Sequence, residues 1–147
     1  MIEPLSISFE VECSADHAFD TWTQRIDTWW PPEHKATEER HTTVVLERQL
    51  GGRLFERTPA GEEHDWGRVT TWEPRRRFGY LWHIRRDASD ATDVEIRFTE
   101  VDEGRARVDI LHSGWERLGD GGPDWRERNQ GGWSGVIPYF VSAAEAI

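Results

Sequence analysis

The C-terminal stretch from Pro123 to Ile147 restricts the possible folds more than any other part of the chain. Its apolar residues Trp125, Gly132, Trp133, Val136, Ile137, Phe140, Ala144 and Ile147 recur mostly three or four apart. That spacing predicts a helix with a single apolar stripe. At about 1.5 Å per residue, a helix from Asp124 to Ala146 spans about 34 Å, enough to cross a small domain. Such a rod needs a surface against which to bury its stripe, and most of the preceding chain reads as β-strand. The economical architecture is a sheet curved around one long helix.

Two features complicate that helix. Pro138 removes a backbone hydrogen bond at a cost of ~3 kcal/mol or more in a regular interior. The apolar spacing nevertheless continues from Tyr139 to Ala146, so a kink is expected rather than an end. Gly131, Gly132 and Gly135 each weaken the helix by ~1 kcal/mol relative to alanine. Its stability must therefore come from packing on the sheet. Small residues there either admit a close neighbour or leave room, and room suits a cavity.

The rest of the chain supplies the sheet. Leu5, Ile7, Phe9 and Val11 alternate with Ser6, Ser8, Glu10 and Glu12, the period of a half-buried strand from Leu5 to Cys13. Ser14 offers an N-cap for a short helix from Ala15 to about Gln24. A second helical piece, Ile26 to Trp30, is closed by Pro31-Pro32. Six strands are then expected: Thr42–Gln49, Arg53–Thr58, His64–Trp72, Arg77–Arg85, Thr92–Val101 and Arg105–His112. Gly51-Gly52 and Asp102-Glu103-Gly104 mark hairpin turns. Ser113 to Pro123 holds four glycines and reads as an irregular connection. Strands bracketed by helices give an α+β fold with an antiparallel sheet of six to seven strands.

Composition narrows the partners. A chain of 147 residues makes one domain with one core. Only 36% of residues are hydrophobic, but nine Trp and six Phe concentrate that fraction in very large rings. Each ring buries about 150–250 Å², so a few fill a core or wall a hollow. The formal net charge of −10 argues against nucleic acid or an anionic membrane surface as partner. Arg75, Arg76 and Arg77, and the pair Arg85 and Arg86, read as solvated turn and strand-end charge. Cys13 is the only cysteine, which excludes an intrachain disulfide and points to a reducing compartment. The first residues lack a signal-peptide pattern and no apolar run reaches ~18 residues, so a cytoplasmic protein is expected.

Particular words in the sequence carry a family resemblance. They are Ala18-Phe19 and Trp29-Trp30-Pro31 in the helical pair, and Gly51-Gly52-Arg53-Leu54-Phe55-Glu56 in the first hairpin. Gly67-Arg68-Val69, Trp72-Glu73-Pro74, Tyr80-Leu81-Trp82, His112-Ser113-Gly114-Trp115 and Gly132-Trp133 follow in order. Together they resemble the START/Bet v-like (SRPBCC) superfamily with its helix-grip fold. The nearest branch is similar to the C-terminal domain of the activator of the heat-shock chaperone's ATPase, the AHSA-like proteins. The resemblance implies a pocket between the curved sheet and the long helix.

Candidate wall residues are those on inward faces: Phe55, Tyr80, Trp82, Ile96, Phe98, Ile110 and His112 from strands, and Trp133, Ile137 and Phe140 from the helix. The alternative is that these rings simply fill the core. His112 shares the face of Val108 and Ile110; it offers a hydrogen bond to a ligand, an acid or base, or a core imidazole bonded to backbone. Cys13 falls on the buried face of its strand and reads as inert. His34, His41 and His64 show no metal-ligand spacing, and neither a nucleophile elbow nor a phosphate loop occurs. No metal or cofactor is implied.

Three function classes follow: a receptor for a small apolar or aromatic molecule, a protein-interaction module with a chaperone partner, and a cyclase, lyase or hydrolase using the same cavity. The first is favoured, without catalysis. The Trp-rich segment from Gly114 to Trp125 is expected at the surface, where it would support a homodimer.

Overall fold

The computed structural model describes residues 2–36, 41–84 and 91–146. The strand end at Arg85, the Arg85-Arg86 pair and the helix-stripe residue Ile147 lie outside the described residues.

The elements follow the expected order. β1 (Leu5–Val11) leads into α1 (Ala15–Thr23), α2 (Ile26–Trp29) and a single 3-10 turn at Pro32–His34. Ser14 caps α1 by accepting a hydrogen bond from the His17 N–H at 3.1 Å. Trp30 adopts an extended conformation ahead of Pro31, which stops α2. β2 (Thr43–Leu46), β3 (Arg53–Arg57), β4 (Glu63–Glu73), β5 (Arg77–Trp82), β6 (Thr92–Asp102) and β7 (Arg105–Ser113) follow. α3 (Gly122–Glu145) closes the chain. All seven strands form one antiparallel sheet in the order β1-β7-β6-β5-β4-β3-β2. The short α1–α2 pair inserts between β1 and β2, which are the sheet's two edges. This is the helix-grip fold.

α3 runs through Pro138 without ending, because packing outweighs the lost hydrogen bond. Phe140, two residues beyond the proline, is fully buried. Its ring stands 4.6 Å from Trp22, 5.4 Å from Trp29 and 6.1 Å from Phe9. Phe19, Phe78 and Phe98 continue this network across the sheet, with Phe19 5.4 Å from Phe98 and 5.9 Å from Phe78. Edge-to-face contacts of this kind add to the hydrophobic gain from burial.

Two expectations are corrected. The connection before α3 is not irregular: Trp115–Gly121 forms 3-10 turns entered through Gly114 at φ 91°. Trp115 is not a surface residue either, being fully buried. Its ring lies 4.2 Å from the His112 imidazole, and its indole N–H donates to the His112 carbonyl at 3.1 Å. That hydrogen bond removes the polar cost of burying the indole, so the ring turns inward. Among the described residues no helix is long and apolar enough to cross a membrane.

Candidate ligand-binding cleft

The aromatic network does not fill the whole interior. Towards the N-terminal half of α3, between that helix, β5 and the Pro32–His34 turn, a half-open cleft of about 320 Å³ remains. Its walls carry four indoles, Trp30, Trp82, Trp125 and Trp133, together with Ile84 and Val136. Trp30 follows α2, Trp82 ends β5, and Trp125 and Trp133 lie on one face of α3. Trp30, Trp66 and Trp82 support one another, with ring centroids 5.1 to 6.1 Å apart.

The glycines of α3 explain why there is space. A Cβ added to Gly132, which lines the cleft, would meet nothing within 4 Å. One added to Gly135 would stand 2.7 Å from His34 Nε2. Gly132 therefore leaves room, while Gly135 lets the loop imidazole press against the helix backbone.

Polar groups are few and held in place. The Trp82 indole N–H donates to Asn129 Oδ1 at 3.3 Å, and Asn129 Nδ2 donates to the Trp125 carbonyl at 2.8 Å. The Trp30 indole donates to the His34 carbonyl at 3.0 Å. Tyr139 donates its hydroxyl to Glu33 at 3.3 Å. The Arg128 guanidinium lies over the Trp125 ring, 5.0 Å from its centroid.

Behind the cleft runs a buried polar seam. Trp133 Nε1 donates to His112 Nδ1 at 3.1 Å, and His112 Nε2 is 2.7 Å from Thr92 Oγ1. An indole N–H can only donate, so Nδ1 accepts and the neutral ring carries its proton on Nε2. Nε2–H then donates to Thr92, whose hydroxyl donates to the Trp82 carbonyl at 3.3 Å. The seam fixes the Trp133 indole and ties α3 to β5, β6 and β7. His112 and Thr92 are fully buried, so they shape the cleft without facing it.

Of the residues anticipated from sequence, Trp82 and Trp133 line the cleft and His112 backs it. Tyr80, Ile96, Phe98, Ile110 and Phe140 are buried in the core and are not on its wall. Burial alone drives the Tyr80 phenol well above its ordinary range. Ile137 packs half-buried against the core. Phe55 lies elsewhere, its ring beneath the guanidinium groups of Arg53 and Arg57 at 4.1 and 5.2 Å. Inward-facing Glu56 takes the place expected of it, accepting from the Trp66 indole at 2.7 Å and the Ala36 N–H at 2.6 Å. Trp30, Trp125, Arg128 and Asn129 went unanticipated. The last three share the helical face of Trp133, so the stripe on α3 held the signal. Cys13 is buried, and desolvation followed by the nearby Glu145, Glu100 and Glu12 carboxylates raises its thiol to about 11. Among the described residues no three His, Cys, Asp or Glu side chains are grouped to hold a metal.

Residues 12–140 match the family model described as Activator of Hsp90 ATPase homolog 1-like protein. The chain belongs to that family. AHSA1-like proteins carry the SRPBCC fold found here, a ligand-binding fold. The chain is similar to the solved anthrahydroquino-gamma-pyrone synthase Txn09, complexed with SUM, at 30% identity with 84% of each chain covered and a TM-score of 0.61. Protein MLL2253 from Mesorhizobium loti shares 18% identity over 97% of this chain and 94% of that one, TM-score 0.64. DynU16, from the dynemicin biosynthetic locus, shares 15% identity over 99% of this chain and 48% of its own length, TM-score 0.69. The last two bear on the fold alone. No curated protein sequence matches.

Proposed function

We propose that this AHSA1-like chain binds a flat aromatic small molecule in the cleft between β5 and α3. The observation that carries the reading is the set of four indoles around an opening of about 320 Å³. Ligand sites of roughly 300–1,000 Å³ are typically apolar-walled with a few fixed polar groups, the pattern seen here. In this reading Trp82 and Trp133 touch the ligand together with Trp30 and Trp125. His112 positions Trp133 from behind. Tyr80, Ile110 and Phe140 belong to the packed core and not to the cleft wall, Ile137 packs against that core from α3, and Phe55 stands outside the site. Among the described residues the large exposed apolar side chains are Leu50 in the β2–β3 turn, Leu111 on β7 and Tyr139 on α3. That scatter gives little support to a chaperone-docking face.

Gly132→Leu tests the proposal. The new side chain would enter the cleft without meeting the core, and leucine is a better helix former than glycine by ~1 kcal/mol. Calorimetric titration with bicyclic and tricyclic aromatic compounds should give binding to the native chain and none to the variant, with an unchanged or higher Tm. Equal affinity in both proteins would place the ligand elsewhere.

The similarity to a pyrone synthase supports a second reading, a cyclase acting on an aromatic polyketone. Because His112 is sealed behind Trp133, the ionisable groups available to such a substrate among the described residues are Glu33, His34 and Arg128. Absence of turnover by the native chain would remove that reading, and turnover that survives both Glu33→Gln and His34→Gln would exclude those two groups as its acid or base.

A further inference from the structure

The cleft is electrically polarised along α3. Arg128 stands at one end, above Trp125. Glu33 and His34 stand at the other, against Tyr139 and Gly135. Arg128 and Gly135 are two helical turns apart on the same side, about 10 Å along the axis at about 1.5 Å per residue. Among the described residues, two other arginines near this end of the fold have their charge engaged. Arg117 pairs with Asp93 at 2.7 Å, and Arg126 donates to the carbonyls of Glu3 and Pro4. Among the described residues no carboxylate pairs with Arg128, which rests only on an aromatic face. An arginine held over a ring at the lip of an apolar slot is placed to receive an anionic oxygen. A carboxylate at the opposite end repels the same group and favours a hydrogen-bond donor.

Resting on the receptor reading, we infer that the cleft selects a fused-ring aromatic acid in one orientation. Its anionic oxygen meets Arg128, its rings lie among the tryptophans, and a hydroxyl at the far end donates to Glu33 or His34. Two fused rings with substituents at opposite ends suit the ~10 Å of helix that runs from Arg128 to Gly135. The free energy is divided accordingly: stacking supplies most of the affinity, and the terminal charges set direction and selectivity.

The test uses three probes, 6-hydroxy-2-naphthoate, its methyl ester and 2-naphthoate, titrated calorimetrically into the full chain and into Arg128→Gln. The hydroxy acid should bind roughly tenfold more tightly than the ester, as expected of a charge-assisted hydrogen bond worth about 1.4 kcal/mol. That preference should shrink as salt is raised. Arg128→Gln should close most of the gap by weakening the acid alone, and 2-naphthoate should bind a few-fold less tightly than the hydroxy acid. Acid and ester binding equally well would overturn the selectivity while leaving the receptor reading intact. The same holds for Arg128→Gln weakening both alike. Binding by none of the three would overturn both.

Discussion

The two ends of the interior are built from the same kinds of side chain and end up different. At the end beneath α1 and the C-terminal half of α3, Phe9, Phe19, Trp22, Trp29, Phe98 and Phe140 meet ring against ring. At the other end Trp30, Trp82, Trp125 and Trp133 stand around an open cleft. The difference lies in what faces the rings. α1 supplies Phe19 and Trp22 to cover the filled end, whereas the helix opposite Trp82 presents Gly132 and the small polar Asn129. Aromatic content therefore does not distinguish core from cavity; the neighbouring small residue does.

The largest expected effect separates the two ends by stability. Phe140→Ala removes a fully buried ring from the filled end and should cost roughly 3–5 kcal/mol in urea unfolding. Trp125→Ala, at the half-buried rim of the cleft, should cost less than about 1 kcal/mol while abolishing ligand binding. Similar losses from both would erase the contrast. Next comes the polar seam behind the cleft. His112→Ala leaves the Trp133 N–H and the Thr92 hydroxyl without their partner and should cost about 2–3 kcal/mol. Trp133 fluorescence should shift, and binding should weaken through its loss of position; a variant as stable as the native chain would contradict the seam's role.

How far the sequence foretold this depends on the element. The strand order, the helical pair and the long helix were legible because each rests on a strong period or a proline stop. Phe55 was not, because Leu54 and Phe55 are both apolar and alternation cannot choose between them. The register shifts at that point, so that Trp66 is the extra residue on β4, and it is Glu56 that turns inward. A buried glutamate becomes tolerable only when the Trp66 and Ala36 N–H groups reach it, and those partners come from distant segments. Tyr80, Ile110 and Phe140 were correctly expected to be interior. Whether an interior ring lines a space depends on three-dimensional packing, which no local period encodes.

The last prediction concerns Cys13. Its thiol, raised from 9.0 to about 11 in the folded chain, keeps its proton when the unfolded chain would release it. The resulting stabilisation is fully present below pH 9 and fades as pH rises through 11. Unfolding midpoints measured from pH 7 to 11 should fall more for the native chain than for Cys13→Ala. Identical pH slopes would show that the thiol contributes nothing.

The contrast between the two ends is tested most directly by nuclear magnetic resonance of the nine indole N–H groups during titration with 6-hydroxy-2-naphthoate. The resonances of Trp30, Trp82, Trp125 and Trp133 should move with ligand, while those of Trp22, Trp29 and Trp72 stay fixed. Shifts centred on Trp22 and Trp29, or none at any indole, would contradict the account.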